Sequence, residues 1–153
     1  MFKGQLVSIY ITSKAGAPLT AASRVRAIPG KGLEGDRYYN PEGTYSDRLE
    51  AGREVTLIEI EALQALEQEK GITLEPGQAR RNLVTQGVPL NHLVGKEFQV
   101  GEVTLRGIRL CEPCDHLAGL TQPEVKPGLV HRGGLRAQVL NEGVLKAGDE
   151  IFI

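Results

Sequence analysis

Short runs with β-strand patterning recur along this chain, with glycine- or proline-bearing turns between many of them. Gln5–Thr12 alternates with period two and is rich in β-branched residues. Ser23–Ile28 is a second extended stretch, halted by Pro29-Gly30, and Pro29–Asn40 (PGKGLEGDRYYN) is a loop. Arg53–Leu57, Asn82–Thr85, Glu97–Val100, Val103–Leu110, Arg136–Leu140 and Glu150–Ile153 are further strand candidates. Gly101-Glu102 is the two-residue break of a hairpin, and Asn141–Gly143 and Lys146–Asp149 supply further turns. Only Ile58–Lys70 has a helical period, with Leu63 and Leu66 on a face shared with Ile58 and Ala62, and with Gly71 at the expected C-cap. Many short strands and one helix predict a mainly β fold, a barrel or sandwich, and disfavour a parallel α/β sheet.

At 153 residues the chain suits one domain, 1–153, large enough to fold without disulfide staples. Nineteen Gly and eight Pro against three Phe, four Tyr and no Trp agree with many turns and leave little for base-stacking platforms. The net charge of −1 gives no electrostatic case for capturing nucleic acid or an anionic membrane. No secretory signal or membrane-length apolar run is visible, so a cytoplasmic location and two reduced cysteines are expected.

Four constellations could carry chemistry. Cys111-Glu112-Pro113-Cys114-Asp115-His116 follows the Val103–Leu110 strand. A thioredoxin-like site would need this CxxC to open a helix in a βαβ context, whose pattern is missing. Zinc would need about four ligands, which Cys111, Cys114, His116 and His131 could supply, though without the usual paired spacing. A single nucleophilic or metal-ligating thiolate at a strand end, or two inert cysteines, are the other readings. His131-Arg132-Gly133-Gly134-Leu135-Arg136 places cations around a Gly-Gly pair whose amides could approach an anion. Arg80-Arg81-Asn82 and Lys31–Arg37 are two more basic steps, the latter lacking the order of a phosphate-binding loop or a dinucleotide site.

The order GLEGDR (32–37), RRNLVTQG (80–87), CEPCDHL (111–117), HRGGLRAQVLNEG (131–143) and VLKAGDEI (144–151) resembles the MOSC family, the molybdenum-cofactor sulfurase C-terminal type of domain. The resemblance runs from about Gln5 to Ile153. It implies a MOSC-type β-barrel, like that of pyruvate kinase, with a few short helices, as a small stand-alone member. It implies that Cys114 is a sulfur carrier or the thiolate ligand of molybdenum, with Cys111 secondary. It places Lys31, Asp36, Arg37, Arg81, Asn82, His131, Arg132, Gly133 and Arg136 around the anionic pterin of a molybdenum cofactor. The family association with pyridoxal phosphate brings no such site here, because no lysine has a supporting motif.

Two functions follow from the resemblance. In one, the protein is an oxidoreductase component that reduces N-hydroxylated or N-oxygenated small molecules, with Cys114 on the metal and electrons from a separate electron-transfer protein. In the other, it is a non-catalytic carrier that takes persulfide sulfur on Cys114 from a separate cysteine desulfurase and delivers it to metal–sulfur centres. A zinc-stabilised β binding module is the more distant alternative. None of the three involves nucleic acid or a membrane.

Overall fold

The computed structural model describes residues 2–14, 16–39, 51–113 and 115–153, with the backbone alone at 51, 115 and 116. Cys114 lies outside the described residues. In chain order the strands are β1 (Lys3–Ile11), β2 (Thr20–Ala22), β3 (Arg24–Ile28), β4 (Gly32–Leu33), β5 (Val55–Glu59), β6 (Leu83–Gln86), β7 (Glu97–Val100), β8 (Val103–Leu110), β9 (Leu135–Val139), β10 (Gly143–Lys146) and β11 (Glu150–Phe152). The helices are α1 (Ile60–Lys70), α2 (Asp115–Leu120) and α3 (Val125–Gly128).

Seven strands in the order β11-β7-β8-β9-β5-β6-β1 close on themselves through β1 and β11, and β2 extends β1 outside the ring. All neighbours are antiparallel except β5 and β6, which α1 joins as a parallel pair. A smaller sheet, β10-β3-β4, carries Val25, Ala27, Leu33 and Leu145 into the same core as the barrel residues Phe98, Leu105 and Leu135. Closure leaves the barrel strands no open edge, and burying this apolar interior is the main stabilising term.

The chain's short strands start and stop much as their patterning predicts, with β7 and β8 matching it residue for residue. The turn between them pairs Val100 with Val103 as a hairpin. Three differences are instructive. The strand before α1 runs on to Glu59, because its ladder with β6 extends to Glu59 opposite Thr85; α1 therefore starts at Ile60, two residues later than its apolar period suggests. Gly71 ends it with φ 67° and an N–H donated to Glu67 O at 2.9 Å. Strand β10 forms between the two expected turns and takes one residue from each, stabilised by partners over a hundred residues away, such as Val144 opposite Arg26. Helix α2 follows the CEPC segment directly, although no helical period announces it.

A second apolar cluster forms outside the ring, where Ala62, Leu63 and Leu66 of α1 pack with Val84, Leu117 and Val125. Strands β5 and β6 thus lie between two cores, which is why the segment Val55–Glu59 is buried nearly throughout instead of on alternate residues. In β1 the pairing with β6 shifts register between Leu6 and Ser8. That irregularity lets Leu6 and Ile9 both enter the barrel while Val7 and Tyr10 pack on the outer cluster.

Glu54, only 5% exposed, ties the small sheet to the barrel, its Oε1 accepting from Gly30 N at 3.2 Å and Val139 N at 3.0 Å. Burial raises its pKa above the ordinary glutamate value, against the opposing pull of those two amides. The folded state therefore binds this proton more tightly than the unfolded chain does. The resulting stability is complete below the ordinary glutamate pKa and is lost as pH rises through the folded value. Glu54→Gln keeps an oxygen for both amides and removes the charge. Thermal melts from mildly acidic to neutral pH should find the variant at least as stable as the parent at neutrality, with a flatter pH dependence. A large loss at neutrality would mean that the charge itself holds the sheets together.

Candidate functional site

The basic segments meet beside the second core, where the ends of β1 and α2 approach the turn before β6. A cleft of about 460 Å³ opens there, walled by Tyr10, Pro18, Leu19, Arg80, Leu120 and Thr121. The exposed Glu75 stands on its rim. Tyr10 comes from the re-phased end of β1, and Leu120 and Thr121 from the end of α2, the helix that begins one residue after Cys114.

Arg80 is the charged residue deepest in this wall, at 8% exposure, and it adopts a left-handed backbone with φ 60°. Its Nη1 donates to Ala17 O at 2.7 Å, while the buried Nη2 has no hydrogen-bond acceptor. Burial first, and then repulsion from Arg37, lower its pKa below that of a free arginine. Asp36 lies 3.2 Å from Arg37 and is fully buried. Arg37 also donates from Nη2 to Arg80 O at 3.0 Å and stacks on the Tyr38 ring at 4.3 Å. Among the described residues this buried neighbourhood holds three arginines, 37, 80 and 81, against the single carboxylate of Asp36. Uncompensated charge of one sign inside a fold is costly unless a counter-ion joins it.

Arg81 and Asn82 are engaged elsewhere. Arg81 donates from Nε to Gly133 O at 2.8 Å, from Nη2 to Cys111 O at 3.1 Å and from Nη1 to Ala79 O at 3.4 Å. Where the sequence predicts an anion contact, the structure shows a clamp that binds the HRGG turn to the CEPC segment. Asn82, fully buried, accepts from Thr56 N and Thr56 Oγ1 through Oδ1, both at 3.1 Å, and donates from Nδ2 to Tyr10 O at 3.1 Å. It fastens β5 to β1 under the cleft.

The other predicted residues are placed apart. Lys31 is exposed, with Nζ 5.3 Å from the Tyr39 ring centre. The exposed His131, at φ 64°, pairs through Nδ1 with Glu112 at 3.2 Å. Arg132 forms a bidentate pair with Glu69 of α1 at 3.0 and 2.8 Å, which raises its own pKa and lowers that of Glu69. None of these three lines the cleft. The Gly-Gly pair serves packing: a Cβ on Gly134 would fall 1.9 Å from Leu57 O, and one on Gly133 would fall 2.5 Å from Cys111 O. Arg136 lies opposite Thr56 of β5 and Arg109 of β8.

Among the described residues no three His, Cys, Asp or Glu side chains converge as metal ligands. Cys111 is buried at 2% exposure, its N–H donated to Gly134 O at 2.7 Å. Helix α2 does follow the CxxC, but β8 and β9 on either side of it are antiparallel, which is not the βαβ setting of a thioredoxin-like site. The sequence shows the Arg80-Arg81 step without telling which arginine enters a cleft, because a turn has no period from which to read direction.

The family model described as MOSC domain matches residues 44–152, more than half of the chain. The YUAD protein from Bacillus subtilis superposes with a TM-score of 0.82 at 16% identity, covering 99% of this chain and 97% of that one. YiiM from Geobacillus stearothermophilus gives 0.75 at 16% identity over 97% and 74% of the two chains. YiiM from Escherichia coli gives 0.60 at 18% identity over 99% and 69%. No curated protein matches.

Removing the Arg81 side chain leaves at least two buried carbonyls without donors, so Arg81→Ala should cost about 2–4 kcal/mol in urea unfolding. Arg132→Ala should cost far less, because water already screens its pair with Glu69. Equal losses would mean that the clamp contributes nothing special.

Proposed function

Because the chain belongs to the MOSC domain family, we propose that it holds a molybdenum cofactor in the Arg80 cleft and serves as the reductase component for N-hydroxylated or related N-oxygenated small molecules. The observation that carries this reading is the excess, among the described residues, of buried positive charge at Arg37, Arg80 and Arg81 over Asp36, beside a cleft of ligand size. An anionic group seated against Arg80 supplies a counter-charge that the described residues lack. The pterin phosphate of the cofactor is such a group, so the residues present fit it.

In this reading Cys114 supplies the thiolate ligand, a soft donor suited to a molybdenum–dithiolene centre. It sits in sequence at the start of α2, whose other end forms the cleft wall. Arg80 holds the phosphate, Tyr10, Pro18 and Leu120 shield the ligand body from water, and Asn82 keeps Tyr10 in place. The bound cofactor supplies the two-electron redox chemistry, and electrons reach it from a separate protein. A persulfide carrier would need an accessible Cys114 thiolate but no cleft with a charged wall, so the cleft favours the cofactor reading over the carrier.

Purification from a host that makes molybdenum cofactor, followed by joint measurement of molybdenum, zinc and pterin, tests the assignment. The parent should carry molybdenum and pterin together, and Cys114→Ala should lose the metal. Arg80→Ala gives up one charge-assisted contact of about 1.5–3 kcal/mol, roughly ten- to a hundredfold in affinity, and should retain correspondingly less pterin. Zinc without pterin, or sulfane sulfur on Cys114 in a protein that takes up no molybdenum, would overturn the proposal.

A further inference from the structure

We infer that Asp36 and Arg37 are positioning residues that preset Arg80 for its anion, an inference that rests on the anion-binding reading of the cleft. Arg80 is one of two non-glycine residues among those described with a left-handed backbone, a conformation that a side chain rarely adopts unless its surroundings impose it. The Arg80 N–H reaches Gly77 O at 3.3 Å, and the Arg80 carbonyl accepts from Arg37 Nη2 at 3.0 Å. The second of these bonds comes from across the chain and fixes the direction in which Arg80 leaves the turn.

Arg37 can hold that carbonyl because both terminal nitrogens of its fork are held. Nη1 donates to Asp36 Oδ1 at 3.2 Å, Nη2 also reaches the Tyr38 hydroxyl at 3.3 Å, and the plane lies on the Tyr38 ring. Asp36 is fixed in turn by Thr12 N at 3.1 Å on Oδ1 and by Tyr38 N at 3.4 Å on Oδ2. Thr12 directly follows β1, the strand whose Tyr10 lines the cleft. A continuous polar chain therefore runs from the end of β1 through Asp36 and Arg37 to the backbone of Arg80. A lysine at position 37 would keep the charge, but a point donor cannot serve the carboxylate, the hydroxyl and the carbonyl together as a planar fork does. Because Asp36 offsets Arg37 and Arg81 is held by backbone carbonyls, Arg80 is the cation of this group that a ligand in the cleft can meet.

The test is a titration of the full-length protein with inorganic phosphate, followed by amide chemical shifts, in the parent, Arg37→Lys, Arg80→Ala and the double variant. Phosphate should bind the parent and bind Arg37→Lys about tenfold more weakly, whereas adding Arg37→Lys to Arg80→Ala should cost nothing further. That coupling separates positioning from a general loss of structure, which would lower affinity in both backgrounds. If Arg37→Lys does not fold, Tyr38→Phe removes a single acceptor from Arg37 and keeps the ring, and it should show a smaller loss that again disappears with Arg80→Ala. Parent-like phosphate affinity in whichever variant is measured, or an equal loss in both backgrounds, overturns the positioning role and leaves the anion site standing. A parent protein that binds no phosphate overturns the anion reading and the positioning role together.

Discussion

Barrel closure by β1 is the constraint on which the rest of the structure depends. Its first residues pair with β11, placing Lys3 opposite Phe152, and its last residues pair with β2. Between these ladders it also pairs with β6, and the register shift after Leu6 lets one strand serve the barrel interior and the outer cluster. Without that shift the strand's pleat would place Ile9 and Tyr10 on the wrong faces. The core would lose a large side chain, and the cleft would lose the Tyr10 wall.

The polar architecture is built onto this frame in two tiers. Arg81, Asn82 and Glu54 hold backbone groups of different strands and loops together, and each works by satisfying donors or acceptors that burial would otherwise leave unpaired. Arg80 differs from these three, in that its buried Nη2 has no hydrogen-bond acceptor. Native folds seldom leave such a group unmatched, and this one belongs to a side chain that lines the cleft. One Arg-Arg-Asn step thus divides between a cleft-lining cation and two structural ties.

Much of the fold was legible in the chain itself. The hairpin at Gly101-Glu102, the helix ending at Gly71 and the extent of β7 and β8 follow from local pattern and turn chemistry. Strands β2, β4 and β10 were not legible: β2 and β4 are only three and two residues long and pair back onto the strands just before them, and β10 is held by a ladder to β3 more than a hundred residues away. The candidate site was legible only as a set of segments. Asp36 and Arg37 do lie beside the cleft's arginine, whereas His131 and Arg132 turn to Glu112 and Glu69 instead.

The sequence by itself determined that this chain would be mainly β, where most of its strands would run, and which segments would carry its cations, because these properties depend on neighbouring residues and composition. Only the tertiary structure decided which arginine faces a cleft and which is consumed in a clamp. The physical reason is that a guanidinium in a turn has no preferred direction of its own. Arg81 is directed by carbonyls of Cys111 and Gly133, 30 and 52 residues further along the chain, and Arg80 by the fork of Arg37, 43 residues before it. Those partners exist only once the barrel has closed.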